Sequence, residues 1–188
     1  MRVISGEFRS RPLQSVEGMA VRPTPDRLRE SLFNILQTRI AGAVFVDAYA
    51  GTGAVGIEAI SRGAQRVVFI ERNKEALRVL TDNLRSLHVQ ARSTIVKRKA
   101  AEALPKITAD IVFLDPPFNV PKEYELSLQA LAAAPPPLVI VQHPPRLLLL
   151  DAYGPLRRGR IVKQGDNWLS FYESETAVNP VENEPEPL

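Results

Sequence analysis

Four short features carry residues that could do chemistry together. The first is Asp115-Pro116-Pro117-Phe118, inside the stretch "LDPPFN". It follows "DIVFL", Asp110–Leu114, an apolar run that reads as a buried strand. Neither proline can donate a backbone hydrogen bond, so strand pairing has to stop there. The stop leaves a carboxylate, a rigid carbonyl and an aromatic ring at a strand tip. The second feature is "VDAYAGTGAVGIEA", Val46–Ala59, in which Gly51, Gly53 and Gly56 spell GxGxxG between a strand and a helix. Glycines permit a tight turn and let a ligand touch the backbone, and a helix start presents free N–H groups. The third is Glu71, which ends the next strand about 20 residues on, where an acid can accept both hydroxyls of a ribose. The fourth is Asp47, at the end of the strand that leads into the glycine loop.

Glycines at this spacing with an acid at the following strand end point to a nucleoside-containing cofactor. A nicotinamide dinucleotide and S-adenosylmethionine both fit that much. Asp47 separates them: a pyrophosphate beside it would be repelled, whereas the ammonium and sulfonium of S-adenosylmethionine would be attracted. In an open α/β sheet the ligand lies beyond the carboxyl ends of the strands. Asp115 follows the fourth strand by this count, so it is expected to face the cofactor.

The elements that would hold these residues are legible as a βαβ rhythm. Strands are expected at Ala43–Asp47, Arg66–Glu71, Ser93–Val96, Ile111–Leu114 and Leu138–Gln142. Helices are expected at Val55–Arg62, Lys74–Leu87, Ala100–Leu104 and Lys122–Ala133. The first four strands read as apolar throughout, as expected when both sheet faces are covered. "RRGRIVKQG" and "NWLSFYES" read as an antiparallel pair at a sheet edge, turning at Gly165–Asp166. Ahead of the sheet, "MRVISGEFRSRPL" suggests a hairpin turning near Gly6. A helix then opens with Thr24 as N-cap, Pro25 at its first position and Asp26 near its positive end. Its buried stripe is read as Leu28, Leu32, Ile35 and Leu36.

Composition narrows the function classes. A chain of 188 residues with 45% hydrophobic and 24% charged residues suits one globular domain. It has no cysteine and only two histidines, His88 and His143, so disulfides, thiolate–metal centres and a zinc site are not expected. No apolar run is long enough to span a bilayer, and the first residues lack the apolar core of a signal peptide. A cytoplasmic protein is the simplest reading. The net charge of +3 understates the basicity of the body: without the acidic segment Glu173–Leu188, 24 Lys and Arg stand against 16 acids, a balance of +8. That suggests a polyanionic partner. Residues 176–188 are rich in Pro and Glu and read as a disordered acidic tail.

The glycine loop, Asp47 and DPPF together resemble the amino-methyltransferases with a [DNS]-P-P-[YF] motif, which methylate exocyclic nitrogens. "MRVISGEFRSRPL", "RPTPDRLRESLFNIL" and "DAYAGTGAVGIEAISRGA" narrow the likeness. Over Met1 to about Tyr172 the chain resembles the bacterial 16S rRNA guanine-N2 methyltransferase family, RsmD-like. The resemblance implies a Rossmann-like α/β fold. Its mostly parallel seven-stranded sheet would carry helices on both faces and an antiparallel edge strand. Residues 1–40 would form an RNA-binding hairpin and helix packed on a methyltransferase domain of residues 41–175. It implies S-adenosylmethionine as methyl donor and 16S rRNA as partner, in a small-subunit ribosomal particle, with no metal and a monomeric chain.

On this resemblance Asp47, Tyr49, Ala50, Gly51, Gly53, Glu71, Arg72, Ala100 and Ala101 would bind the cofactor. Tyr49 stands where an aromatic residue or leucine is common. Relatives usually carry Asp or Asn after the third strand. Here "VKRKAAEAL" puts Lys99 or Ala100 there, so backbone groups around Ala100 would contact the adenine. Asp115 and the Pro116 carbonyl would accept the two N–H groups of the target amine, favour a pyramidal nitrogen and stabilise its growing charge. Pro117 would stiffen the turn. Phe118 would stack on the flipped base, a contact of roughly 1–3 kcal/mol. Arg9, Arg11, Arg22, Pro23, Thr24, Arg27 and Arg29 are the expected RNA contacts, since the planar guanidinium suits phosphate. A second basic group, Arg157, Arg158, Arg160 and Lys163, sits on the edge pair. His143 follows the fifth strand and reads as a bland loop histidine rather than one bordering the site, and Trp168 as edge-sheet packing.

Three other readings stay open on sequence alone. DPPF also permits methylation of adenine N6 or another exocyclic amine in DNA or RNA. The glycine loop permits a nicotinamide oxidoreductase, against which Asp47 and DPPF argue. A non-catalytic RNA-binding module fits the charge but not the intact Asp115 and glycine loop.

Overall fold

The computed structural model describes residues 1–16 and 25–175. Five parallel strands form the body of one sheet. They are β1 (Val44–Ala48), β2 (Arg66–Ile70), β3 (Ser93–Val96), β4 (Ile111–Leu114) and β5 (Leu138–His143). Chain order takes β1, β2 and β3 outward in one direction, then β4 and β5 outward in the other, so the sheet runs β3-β2-β1-β4-β5. The carboxyl ends line up: Ala48 is level with Ile70 on one side and Leu114 on the other. The reversal of direction between β1 and β4 opens a crevice at those ends.

Beyond β5 come β8 (Asn167–Ser174), β7 (Leu156–Gln164) and a two-residue β6 (Ala152–Tyr153). Of the long strands only β8 runs against the rest, and it is inserted between β5 and β7 rather than placed at the edge. The count is therefore eight, not seven, because Ala152 and Tyr153 pair with Arg157 and Leu156. Two residues leave no periodic signal. The β7–β8 turn at Gly165–Asp166 lies where expected, with Gln164 opposite Asn167.

Alternate strand residues feed two apolar layers. Phe45, Phe69, Phe113 and Ile140 pack with α1 (Asp26–Ile35), α2 (Ala54–Ser61) and α3 (Lys74–Ser86) on one face. Val46, Ile70, Leu114 and Val141 pack on the other with α4 (Ala100–Ala103) and α5 (Pro121–Ala132). Burying both faces explains the continuous apolar runs of β1, β2, β4 and β5. β3 departs from that expectation: it is an edge strand, and all four of its residues are only half-buried. Other expected boundaries shift by a residue. Pro25 sits at the N-cap of α1 with extended backbone rather than at its first helical position. Thr24 lies outside the described residues, as do Arg22, Pro23 and the tail 176–188. The buried stripe of α1 also takes in Phe33 and Arg29, while Ile35 is only partly covered. No helix among the described residues is long and apolar enough to cross a membrane.

The N-terminal hairpin forms as expected and is fastened to α2. Arg2 bridges Pro12, and Val3 exchanges backbone hydrogen bonds with Arg11 and Ser10. α2 is buried along its whole length, and its two polar side chains serve the hairpin. Glu58, fully buried, accepts from the backbone N–H groups of Ile4 (2.8 Å) and Ser5 (3.0 Å) and from Arg62 Nε (2.8 Å). Ser61 receives Glu7 N–H on its carbonyl and Phe8 N–H on its hydroxyl. Gly6 makes the approach possible. It has φ of +83°, and a Cβ there would overlap the Ser61 carbonyl. Gly6→Ala is therefore expected to cost about 2 kcal/mol or more of stability, from left-handed strain and a backbone clash together. Urea unfolding measures it; an unchanged midpoint would mean that the hairpin is not held this way.

Candidate active site at the carboxyl ends of the strands

The glycine loop between β1 and α2 is sharply bent. Tyr49, Gly51 and Gly53 have φ of +74°, +54° and +87°. The three glycines do different work. A Cβ on Gly53 or Gly56 would run into Leu80 or Phe69, so these two allow close packing against α3 and β2. Nothing lies within 4 Å of where a Cβ on Gly51 would be. Gly51 therefore bares its backbone to open space at the crevice, as a ligand cradle requires.

Side chains from four elements brace this loop. Asp47 of β1 accepts Gly56 N–H at 2.8 Å in the first turn of α2. Glu71, just past β2, accepts Gly51 N–H at 2.8 Å on one oxygen and the N–H groups of Arg72 and Asn73 at 2.7 Å on the other. Asn83 of α3 donates to Thr52 O at 3.0 Å. It also exchanges two hydrogen bonds with the backbone of Gln14, which ties the loop to the N-terminal segment. The phenol of Tyr49 donates to Glu123 Oε2 at 2.8 Å and takes a hydrogen bond from Ser127, 2.8 Å away on α5.

These contacts refine the expected roles. Asp47 is only 2% exposed, so it shapes the loop from beneath rather than presenting a bare carboxylate to a ligand. Burial, opposed by the Gly56 hydrogen bond and reinforced by Glu71, pushes its carboxyl up to about 7. Three of the four acceptor positions on the Glu71 carboxylate are occupied by backbone. One further hydroxyl can be accepted without exchange, not two. Tyr49 faces α5 with its hydroxyl, and the N–H groups of Tyr49 and Ala50 both go to Ile70 O at 3.0 Å. Arg72 is exposed at the rim. Ala100 and Ala101 open α4 beyond β3, with Ala100 buried and Ala101 half-buried.

Across the crevice, β4 ends where the prolines begin. Asp115 N–H reaches Ala48 O at 3.4 Å, and its residue is half-buried beside β1. Pro116 is buried; Pro117 and Phe118 are exposed, Phe118 by 39%. Val120 N–H closes a turn onto Pro117 O at 2.9 Å, and Pro121 starts α5. The carbonyl of Pro116 accepts from the hydroxyl of Tyr124 at 3.0 Å. Sequence reading did not single out Tyr124, Asn83 or Glu58. Asn83 and Glu58 left a signal: Asn83 is the one polar residue in the buried stripe of α3, and Glu58 is the one charged residue of α2. Tyr124 left none, since an aromatic in a helical stripe reads as core.

Of the expected RNA contacts, Arg9, Arg11 and Arg27 are exposed. Arg29 is not. It is fully buried, pairs with Asp26 at 2.9 Å and donates to Arg2 O at 2.7 Å, so it joins α1 to the hairpin. His143 ends β5 rather than lying in a loop. It is 2% exposed, bonded to Ser170 Oγ at 2.8 Å, and its pKa is lowered by burial. Trp168 packs edge-on to His143 and beneath the Lys163 ammonium, which accords with edge-sheet packing. Arg157 and Arg158 are paired with Glu175 and Asp151, which leaves Arg160 and Lys163 as the outward cations of that group.

Comparison with known proteins gives a consistent picture. A family model described as "Conserved hypothetical protein 95" matches residues 1–173. "Putative rRNA methyltransferase YlbH" of Bacillus subtilis is 35% identical over 127 residues, 65% of this chain and 69% of that protein. "Ribosomal RNA small subunit methyltransferase D" of Haemophilus influenzae is 34% identical over 137 residues, 70% of this chain and 69% of that one. Among solved structures, "Putative methyltransferase yhhF from Escherichia coli" superposes with a TM-score of 0.82 at 31% identity, covering 93% of this chain and 98% of its own.

The buried carboxyl of Asp47 makes a prediction about pH. Its folded value of about 7 stands above the ordinary 3.8. Between those values the folded state keeps a proton that the unfolded chain releases, so stability falls as pH rises through the window. Asp47→Asn keeps an acceptor for Gly56 and removes the titration. The variant should gain on the wild type from pH 4 to 7, by up to about 1.4 kcal/mol per pH unit, and level off above. Urea midpoints across that range check it; a constant difference would place the Asp47 carboxyl at its ordinary value.

Proposed function

This chain belongs to the family described as conserved hypothetical protein 95, the RsmD-like methyltransferases, and from that membership we propose that it methylates the exocyclic N2 of a guanine in 16S rRNA with S-adenosylmethionine as donor. The observation that carries the reading is the placement of Asp115 and Pro116. They directly follow Leu114, the last residue of β4, which is level with Ala48, and lie across the crevice from the open backbone of Gly51. Relatives named as rRNA methyltransferases support the substrate class.

The residues present fit the cofactor. Gly51 leaves open space over its backbone, Glu71 keeps one acceptor position for a ribose hydroxyl, and Ala100 and Ala101 stand at the adjoining strand end. When bound, S-adenosylmethionine supplies an electrophilic methyl group. The chain's own contribution is positioning and charge. Asp115 accepts one N–H of the guanine amine and the second lone pair of the Pro116 carbonyl accepts the other. Both acceptors draw the nitrogen lone pair out of conjugation and face the positive charge that grows on it. Proline rings fix φ on both sides of that carbonyl. Phe118 is exposed enough to stack on the extruded base. Arg9, Arg11 and Arg27, with Arg22, Pro23 and Thr24, would meet the RNA backbone from the N-terminal side. Residues 1–40 thus serve as the RNA-binding extension, and residues 41–175 hold the chemistry.

The test uses small ribosomal subunits from cells lacking the protein, labelled S-adenosylmethionine, and mass spectrometry of the product. Label on guanine N2 is expected. Label on adenine N6 would replace this reading with its nearest alternative, and tight NAD binding with no response to S-adenosylhomocysteine would overturn it. Asp115→Ala should slow transfer at least about 100-fold while leaving S-adenosylhomocysteine affinity within about threefold. Glu71→Ala should weaken that affinity more than about tenfold and slow saturated transfer less, because both a ligand contact and the Gly51 brace are lost.

A further inference from the structure

We propose that Tyr124 is a positioning residue for methyl transfer: its phenol holds one lone pair of the Pro116 carbonyl and thereby aims the other at the substrate amine. This rests on the methyltransferase reading above and adds a residue to it. The Pro116–Pro117 peptide carries no N–H, so its carbonyl oxygen is its single hydrogen-bonding atom. Ring closure fixes φ of both prolines, but the torsion that swings this carbonyl is ψ of Pro116. A following proline confines that torsion to a broad extended well some tens of degrees wide. Something else has to fix the direction within the well.

Tyr124 is placed to do so. Its side chain is 1% exposed, and its hydroxyl donates to Pro116 O at 3.0 Å. A carbonyl oxygen has two acceptor positions, so one remains after this bond. The phenol is a permanent donor, since burial, and after it the charge of Asp115, raises its pKa. The same helix is fixed to the glycine loop on either side of Tyr124. Glu123 and Ser127 both hold the hydroxyl of Tyr49, each at 2.8 Å. α5 is thus a strut with one end of the chemistry on each of its contacts: the loop that would seat the methyl donor, and the carbonyl that would seat the acceptor. Removing the Tyr124 hydroxyl frees the carbonyl to move within that well and leaves the hydrogen bonds of Tyr49 and Glu71 in place.

The experiment is Tyr124→Phe, which keeps the ring and removes one hydroxyl. Transfer is measured on small ribosomal subunits from cells lacking the protein, and active sites are counted by calorimetry with S-adenosylhomocysteine. The expected result is a fall in kcat per binding site of about tenfold. Affinity for S-adenosylhomocysteine and KM for the subunits should stay within about twofold. A purely structural role would instead reduce the number of binding sites or lower the melting temperature with kcat per site intact; that outcome, or a variant equal to wild type, overturns the proposal. A wild-type protein that transfers no methyl group overturns the parent reading and this one with it. An active wild type beside an unaffected variant overturns this one alone.

Discussion

The glycine loop is held in its observed shape by side chains that reach it from four elements. Three of the five residues from Tyr49 to Gly53 lie in the left-handed region, and for the non-glycine Tyr49 that conformation costs on the order of 1–3 kcal/mol. A free loop would relax. This one meets Asp47 from below, Glu71 from the side, Asn83 from α3 and, through Tyr49, α5. The Asp47–Gly56 bond is the innermost of these. It joins the end of β1 to the first turn of α2, so the strand's direction sets where the helix begins. A carboxylate fully out of water is costly, which is why its proton is held more tightly than usual. Local cost and fixed geometry are two sides of one arrangement.

From that loop the rest of the molecule is organised outward by polar contacts that each join two elements. Asn83 links the loop to Gln14, and Glu58 links α2 to Ile4 and Ser5. The N-terminal segment is thereby built onto the same helices that frame the crevice. Arg29 adds a third junction, from α1 to Arg2. Arg9, Arg11 and Arg27 are exposed on the hairpin and α1, whose backbone is fixed by the same contacts.

Much of this was legible in sequence, and the reasons differ by element. The parallel strands announced themselves through unbroken apolar runs, because both faces of the sheet are covered. The glycine loop and DPPF were legible because glycine and proline answer backbone constraints that few residues satisfy, and Glu71 because of its spacing from that loop. β3 misled through the opposite logic: at an edge, Ser93 and Thr94 are tolerated, and only Ile95 and Val96 resemble a core strand. β6 is too short to leave a pattern. Arg29 was misread because charge is a poor guide to exposure where a partner is supplied by distant backbone. Nothing in "DRLRESL" reveals that the Arg2 carbonyl waits beside it. Asp47 and Glu71 carry backbone contacts to the loop that sequence does not reveal.

The two halves of the crevice raise a question of distance. In-line transfer needs donor and acceptor held to within a fraction of an ångström, and effective concentrations in well-oriented pairs are very large for that reason. β1 and β4 are hydrogen-bonded neighbours, so their ends are fixed relative to each other. Beyond the strand ends the glycine loop is anchored to β2 and α3, and a gap remains to the turn after β4. α5 closes that gap, because it follows DPPF directly in the chain and grips the Tyr49 hydroxyl in space. A loop-to-loop spacing set by one helix is stiffer than one in which the two loops share no common support. The Tyr49 hydroxyl makes that link, which a leucine or alanine at position 49 could not make.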